Sequence, residues 1–356
     1  MNKKGHVLIS PLDWGLGHAT RSTVIAEWLL EEGFKVSVAG DQVSLEIFQE
    51  SLGSRVSFVE GMPAYQVKYH PKGLMVSLLQ QAAQIWSVAR KENKWIREVA
   101  PKLGLTGLIS DNRFGLFHPE IYSVYLSHQI NIRAYGFESL AKLIHRRVIQ
   151  KFDACWIPDY PGKDSLSGSL SRGYEGFESF EYIGWLNRLE KFNEVDSQER
   201  YKAVVLGSGP EPARGLFLEK MAKILEEIEG DHLLLEGKPG QTKRRKEGNL
   251  SWISHLGGEE LKSKLKAAEF IITRPGYTSL MELAEMNKSL ILVPTPGQTE
   301  QMYLGKRLDQ QGRARQISER KLNAISLKAA MQGKYSFYQS HPPKVDLEKL
   351  FKPFLG

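Results

Sequence analysis

Residues 5–21 read Gly5-His6-Val7-Leu8-Ile9-Ser10-Pro11-Leu12-Asp13-Trp14-Gly15-Leu16-Gly17-His18-Ala19-Thr20-Arg21, and residues 271–282 read Ile271-Ile272-Thr273-Arg274-Pro275-Gly276-Tyr277-Thr278-Ser279-Leu280-Met281-Glu282. Each stretch is a short apolar run, a turn containing glycine, and the start of a helical pattern. In the first, Val24, Ile25, Trp28 and Leu29 continue at helical spacing. A strand that turns through glycine into a helix is the building unit of parallel α/β sheets, which bind ligands outside the carboxyl ends of their strands. One such unit lies in each half of the chain, which predicts two domains of this kind.

The rest of the chain extends the pattern. Strands are expected at 5–10, 35–39, 55–60, 107–110, 121–127 and 153–157, and helices at 18–32, 42–52, 73–99 and 137–151. Tyr182-Ile183-Gly184-Trp185 reads as a last short strand. The turn-rich stretch 159–180 reads as a loop with mobility. A second alternation begins at Ala203 and runs to a helix at 319–331, followed by an amphipathic segment with Val345, Leu347, Leu350, Phe351 and Phe354. The expected division is a Rossmann-like acceptor domain at 1–186, a linker at 187–200, a Rossmann-like nucleotide domain at 201–335, and a tail at 336–356 that folds back on the first domain.

Composition narrows the function classes. The 356 residues are 41% hydrophobic and 25% charged, which is ordinary globular usage and long enough for two cores. No run approaches the roughly 18 apolar residues of a membrane span. The opening Met1-Asn2-Lys3-Lys4 leads into a strand without an apolar signal region, so the cytoplasm is the expected compartment. A single cysteine, Cys155, excludes a disulfide framework and a cysteine-based metal site. The net charge of +7 suits phosphorylated substrates or anionic lipid. No zinc-finger spacing or RNA-binding signature appears, so nucleic acid is not expected as a partner. Lys243-Arg244-Arg245-Lys246 sits between turn residues and reads as a solvated loop, with a polyanion contact as the second reading. The helices at 73–99 and 137–151 mix apolar and aromatic residues with Arg90, Lys91, Lys94, Lys142, Arg146 and Arg147. Packing on their own sheet explains that pattern, and contact with an anionic membrane surface also explains it.

Several residues carry chemistry. Gly15 and Gly17 permit a tight turn, and the helix that follows presents unpaired N–H groups to an anion. His18 at that helix start is either a general base for a hydroxyl or water, or a capping histidine. Ser110-Asp111-Asn112-Arg113 follows a strand. Asp111 either orients His18, or binds an acceptor, or forms an Asx turn. Gly207-Ser208-Gly209 opens the second alternation at another helix start. In the second quoted string Gly276 supplies the turn, and Glu282 near the start of the helix either accepts ribose hydroxyls or pairs with the helix dipole. Gln298, Glu300 and Gln301 begin a further helix with groups that bind sugar hydroxyls in directed pairs.

Together these strings resemble the nucleotide-sugar glycosyltransferases of the GT-B type, with two Rossmann-like domains whose parallel sheets face an interdomain cleft. The chain most resembles the bacterial family, glycosyltransferase family 28-like, that adds N-acetylglucosamine to lipid-linked muramoyl-pentapeptide. The similarity is scattered over nearly the whole length and strongest at 5–21, 182–188, 203–213 and 271–301. In that family a glycine-rich turn ends in a histidine, matched by Gly15 to His18. An arginine that contacts the diphosphate is matched by Arg188 in Gly184-Trp185-Leu186-Asn187-Arg188. A Gly-Ser turn is matched at 207–209, the donor motif by Pro275-Gly276 to Glu282, and a Gln-Gln pair by Glu300-Gln301.

The resemblance therefore implies donor-binding roles for Gly15, Gly17, Arg188, Gly207, Ser208, Gly209, Arg274, Gly276, Thr278, Glu282, Gln298, Glu300 and Gln301. It implies acceptor-side roles for Arg21, His128 and Gln129 and a catalytic role for His18, to which the strand-end reading adds Asp111. It implies a nucleoside diphosphate sugar, of UDP type, as substrate, with no metal and no cofactor. The acceptor is a lipid-linked or glycan hydroxyl. Pro275 and Glu300 depart from the family pattern, so the family's donor sugar is not implied; His128-Gln129 matches only part of its acceptor element, so the muramoyl precursor is not implied as acceptor. Gly17-His18-x-x-Arg21 also resembles a UDP-sugar hydrolase in which the histidine activates water. A sugar-nucleotide-binding subunit without catalysis is the third reading.

Overall fold

The computed structural model describes residues 4–13, 15–65, 82–132, 138–162, 165–172, 179–193, 199–284, 286–337 and 345–355. The chain divides into two compact units, Met1–Leu186 with Pro342–Gly356, and Asn187–His341.

The first unit is built on a seven-stranded sheet. Its strands are β1 (His6–Pro11), β2 (Lys35–Val38), β3 (Ser57–Phe58), β4 (Gly107–Asp111), β5 (Tyr122–Leu126), β6 (Ala154–Ile157) and β7 (Phe180–Tyr182). The order is β3-β2-β1-β4-β5-β6-β7 and every pairing is parallel. Every residue of β1 is buried, as expected of a central strand covered on both faces. Helices α1 (Leu16–Glu31), α2 (Gln42–Leu52), α3 (Ala82–Leu103) and α4 (Glu138–Ile149) lie between the strands in sequence. Asp41 caps α2 by accepting from the Ser44 amide at 3.0 Å. The apolar side of α3 is core, since Ile85, Val88, Ile96 and Ala100 are all buried. The part of the expected 73–99 helix up to Gln81 lies outside the described residues.

Two expectations change here. The last strand ends at Tyr182, and Ile183–Leu186 continue as buried irregular chain. The stretch after β6 is not a loose loop where it is described. Buried Asp159 takes six donors, which pull 165–171 inward. Its Oδ1 accepts from the amides of Tyr160 (2.8 Å) and Leu166 (3.0 Å) and from Trp185 Nε1 (3.1 Å). Its Oδ2 accepts from Ser165 Oγ (2.8 Å), the Ser167 amide (2.9 Å) and Ser167 Oγ. A carboxylate removed from water needs such partners, and the serine-rich sequence supplies them.

The second unit repeats the architecture. Strands β8 (Tyr201–Leu206), β9 (His232–Leu235), β10 (Arg244–Glu247), β11 (Leu250–Ile253), β12 (Ala268–Thr273), β13 (Ser289–Leu292) and β14 (Ala314–Gln316) run in the order β10-β11-β9-β8-β12-β13-β14. All pairings are parallel except β10–β11. Helices α5 (Ala213–Leu225), α6 (Gly258–Lys266), α7 (Tyr277–Leu283), α8 (Thr299–Gln310) and α9 (Ala324–Met331) complete it. Phe217, Met221, Leu234, Trp252, Phe270, Ile272 and Leu327 form one buried cluster. Asn323 and Ser326 close a capping box on α9.

The basic run at 243–246 is not a solvated loop. Arg244–Glu247 form the edge strand β10, paired antiparallel to β11 through the Gly248-Asn249 turn. All four residues are exposed, so no apolar alternation marks them as strand. The Arg245 guanidinium lies 4.3 Å from the Trp252 ring centre. Charged side chains are the usual protection of an open edge.

Helix α10 (Leu347–Phe351) returns to the first unit. Phe351 and Phe354 are buried among Phe34, Tyr122 and Trp156. Thr106 Oγ1 donates to the Phe354 carbonyl at 2.7 Å. Any side chain on Gly107 would collide with the Phe354 ring.

Candidate active site

In the first unit the sheet order reverses at β1, whose neighbours are β2 and β4. The register pairs Pro11 with Asp111, so the acid stands at the carboxyl end of β4 beside the end of β1. Gly15 has φ of +119°, a value that side chains disfavour, and it turns the chain into α1. His18, Arg21 and Ser22 then fall on one face of α1, three and four residues apart.

All three reach Asp111. His18 Nδ1 is 2.8 Å from Asp111 Oδ1. Arg21 donates Nε to Oδ2 at 2.8 Å and Nη2 to Oδ1. Ser22 Oγ donates to Oδ2 at 3.2 Å. Asp111 is fully buried. Burial alone would raise its pKa, but the charges of Arg21 and His18 and their hydrogen bonds hold it well below the usual carboxylate range. With the imidazole proton on Nδ1, donated to this carboxylate, Nε2 is left as a proton acceptor. The His18 side chain keeps 19% of its surface exposed while Asp111 keeps none. The arrangement is a solvent-reachable imidazole held by a buried acid.

Arg21, expected on the acceptor side, lies behind His18. Arg21 is 1% exposed, and its guanidinium donates to Asp111 and meets His128 Nδ1 inside the unit, with Nη2 3.1 Å from His18 Nδ1. His128, after β5, is buried with Nδ1 3.0 Å from Arg21 Nη1. Gln129 is half-buried, and its amide nitrogen donates to Ser127 Oγ at 3.1 Å.

A second buried ionic group supports the turn. Arg113 donates Nε to Glu92 at 2.7 Å and Nη1 to Asp13 at 2.5 Å and to the Pro11 carbonyl at 2.9 Å. Glu92 also accepts from Tyr65 Oη at 2.6 Å and the Gly115 amide at 2.9 Å. Burial raises the Glu92 pKa, only partly offset by Arg113. Glu92 and Arg113 were not singled out by chemistry in the sequence. The adjacent Asp111-Asn112-Arg113 at a strand end was the available sign.

In the second unit, Arg188 and Glu282 meet. Arg188 Nε donates to Glu282 Oε1 at 2.7 Å, with side chains 20% and 13% exposed. Among the described residues no other acid pairs with Arg188. Gly207 lies against Leu218 and the carbonyls of Leu235 and Glu236, so a side chain there would strike backbone. Its glycine is explained by close packing inside the unit. Ser208 is half-buried and Gly209 exposed just beyond β8. Thr278, Gln298 and Glu300 are half-buried at the starts of α7 and α8.

Three residues expected at the donor site have surroundings that packing within the unit explains. Gly276 caps α7 with φ −72° and ψ 137°, a conformation open to any residue, and a side chain there would meet nothing within 4 Å. The turn does not require glycine. Arg274 is 2% exposed; its Nη1 donates to Glu319 at 2.6 Å and to the Val293 carbonyl at 3.0 Å, and its guanidinium stacks 4.2 Å from the Phe217 ring centre. It braces the core of the unit. Gln301 is buried and its Oε1 accepts from the Thr295 amide at 2.8 Å, which fixes the turn before α8.

Among the described residues no cluster of three or more His, Cys, Asp or Glu could hold a metal ion. No described helix is long and apolar enough to cross a membrane.

Comparison with known proteins agrees with this architecture. Residues 247–342 match the glycosyltransferase family 28 C-terminal domain. No curated protein compared with the chain matches it in sequence. Among solved structures, the glycotransferase of kitacinnamycin shares 14% identity at a TM-score of 0.66, over 93% of this chain and 90% of its own. The spinosyn rhamnosyltransferase SpnG shares 13% identity at 0.64, over 92% and 91%. An Arabidopsis thaliana protein complexed with UDP-L-rhamnose shares 14% at 0.63, over 99% and 94%. The chain thus has the fold of GT-B glycosyltransferases, two Rossmann-like units with parallel-dominated sheets, and its second unit carries a glycosyltransferase domain.

Proposed function

We propose that the chain moves a hexosyl or N-acetylhexosaminyl group from a nucleoside diphosphate sugar, first of all a UDP-sugar, to an acceptor hydroxyl. The observation that carries this reading is the His18–Asp111 contact of 2.8 Å at the carboxyl end of the first sheet. The acceptor O–H donates to His18 Nε2. As its oxygen bonds to the anomeric carbon, the proton passes to Nε2 and the bond from that carbon to the diphosphate oxygen breaks. Asp111 steadies the imidazolium through Nδ1–H. Glu282 and Arg188 are the proposed donor contacts of the second unit. The structural relatives with TDP and UDP-L-rhamnose bound support a nucleotide-sugar donor.

The proposed reaction needs no bound metal, and turnover retained in a chelator tests that. The proposed acceptor is lipid-linked or a glycan, met at the cytoplasmic face of a membrane. Exposed Leu143 and Ile144 on α4, beside exposed Lys142, Arg146 and Arg147, support such contact. Co-sedimentation with anionic vesicles, absent with neutral ones, is the expected result.

Purified protein incubated with a panel of UDP-sugars tests the activity. UDP release that depends on an added acceptor is expected. Free sugar formed equally fast without acceptor identifies the hydrolase, since the same dyad can deprotonate water. Binding without turnover identifies a non-catalytic subunit.

A further inference from the structure

Arg21 touches no substrate in the reaction as written, yet more of the dyad's contacts run through it than through any other residue described there. It takes both oxygens of Asp111, places Nη2 3.1 Å from His18 Nδ1 and places Nη1 3.0 Å from His128 Nδ1. It does so while 1% exposed, so water does not screen its charge.

A buried carboxylate alone is a mixed asset for a base. It orients the ring, but its charge also favours imidazolium, and a histidine already protonated cannot accept the proton of a hydroxyl. A cation at nearly the same distance from the ring opposes that effect. The carboxylate oxygen stands 2.8 Å from Nδ1 and the guanidinium nitrogen 3.1 Å, with opposite unit charges. The groups facing the imidazole are Asp111 from β4 and Arg21 from its own helix. Behind them are His128 after β5, reached through Arg21, and Tyr125 on β5, whose phenol burial keeps protonated. The clamp on both oxygens also fixes the plane of the acid, so its free direction points at Nδ1.

We infer that Arg21 is a positioning residue, which holds Asp111 and balances its charge so that the acid orients His18 as a neutral base. The inference rests on His18 being the base of the proposed reaction, but its test does not require turnover. Nitrogen NMR of 15N-histidine-labelled protein, with His18→Gln as the assignment control, reads the tautomer and titration midpoint of His18 directly. In the wild type His18 is expected as the Nδ1–H tautomer. In Arg21→Gln its midpoint is expected to rise by about one pH unit, roughly a tenfold change in proton affinity. The acid limb of the turnover profile should move up with it. Arg21→Lys, which keeps the cation, should restore most of the wild-type midpoint. Should Arg21→Gln fail to fold, Asp111→Asn gives the reciprocal test, because the cation is then unopposed and the midpoint should fall. A folded Arg21→Gln protein with an unmoved midpoint, or a midpoint that rises in Asp111→Asn, overturns the inference. An NMR result as expected in a protein without turnover would remove the proposed reaction and leave the inference standing.

Discussion

Glu282 accepts the Nε–H of Arg188 at 2.7 Å, although the sequence resemblance assigns these two residues to opposite ends of one donor molecule. In the proposed donor site the ribose contact and the diphosphate contact are therefore coupled through one ion pair. A ligand that bonds to Glu282 meets a carboxylate whose orientation Arg188 sets.

Glu282→Ala should weaken UDP binding by about 10- to 100-fold, the worth of a charge-assisted hydrogen bond, while the melting temperature changes little. Arg188→Ala should weaken uridine as well as UDP, because the carboxylate loses its partner. Calorimetry on both ligands checks this. Full uridine affinity in Arg188→Ala would show that Glu282 acts independently of Arg188.

Removing the base should separate chemistry from binding. His18→Gln is expected to lose about 10²–10⁴-fold in turnover with UDP affinity near wild type. Asp111→Asn should lose activity by orientation and tautomer, and it also unpairs Arg21, so its folding stability falls too. Near-normal turnover in folded His18→Gln would leave the fold and donor site standing without the proposed base.

Arg274→Ala should behave oppositely. It strips Glu319 of its partner and Phe217 of its stacked cation, at a cost of about 2 kcal/mol or more in folding stability. UDP affinity of the folded protein should stay unchanged. Chemical denaturation and calorimetry together check the assignment, and a large loss of affinity in a stable protein would restore Arg274 to the donor site.

Buried His145 makes the first unit acid-sensitive. Its Nε2 meets Tyr125 Oη at 3.0 Å and its Nδ1 the Ile130 carbonyl at 3.1 Å. Burial pushes its pKa down from 6.5 to about 4, against a smaller opposing effect of the Ile130 carbonyl. Between those values the unfolded chain binds the proton and the folded chain does not, so stability is full above 6.5 and declines as pH falls towards 4. His145→Gln should flatten the fall of melting temperature across that window. An unchanged slope would mean that other groups govern it.

Most of the fold could be read from the sequence, because β1, β4, β8 and β12 are apolar runs beside periodic helices. Strand β10 could not, since Arg244–Glu247 bury no face and antiparallel pairing with β11 alone makes them a strand. Strand β14 is three residues long, too short for any period. The dyad was legible because His18 starts a helix and Asp111 ends a strand, both marked by local pattern. Arg21, Arg274 and Gln301 share one feature that the sequence does not show. Sequence shows that a side chain can bind an anion or a sugar, but not that a neighbour in the same unit has already taken it. Asp111, Glu319 and the Thr295 amide are those neighbours.

The seating of Phe351 and Phe354 against Phe34, Tyr122 and Trp156 bears on the order of synthesis. The first unit's sheet is complete in sequence at Tyr182, yet its aromatic face stays uncovered until residues 347–355 have left the ribosome. The whole second unit is made in between. Until then Trp156 and Phe34 lack the ring contacts that Phe351 and Phe354 give them. Ending translation ahead of residue 347 would leave both sheets encoded and one of them permanently unsealed.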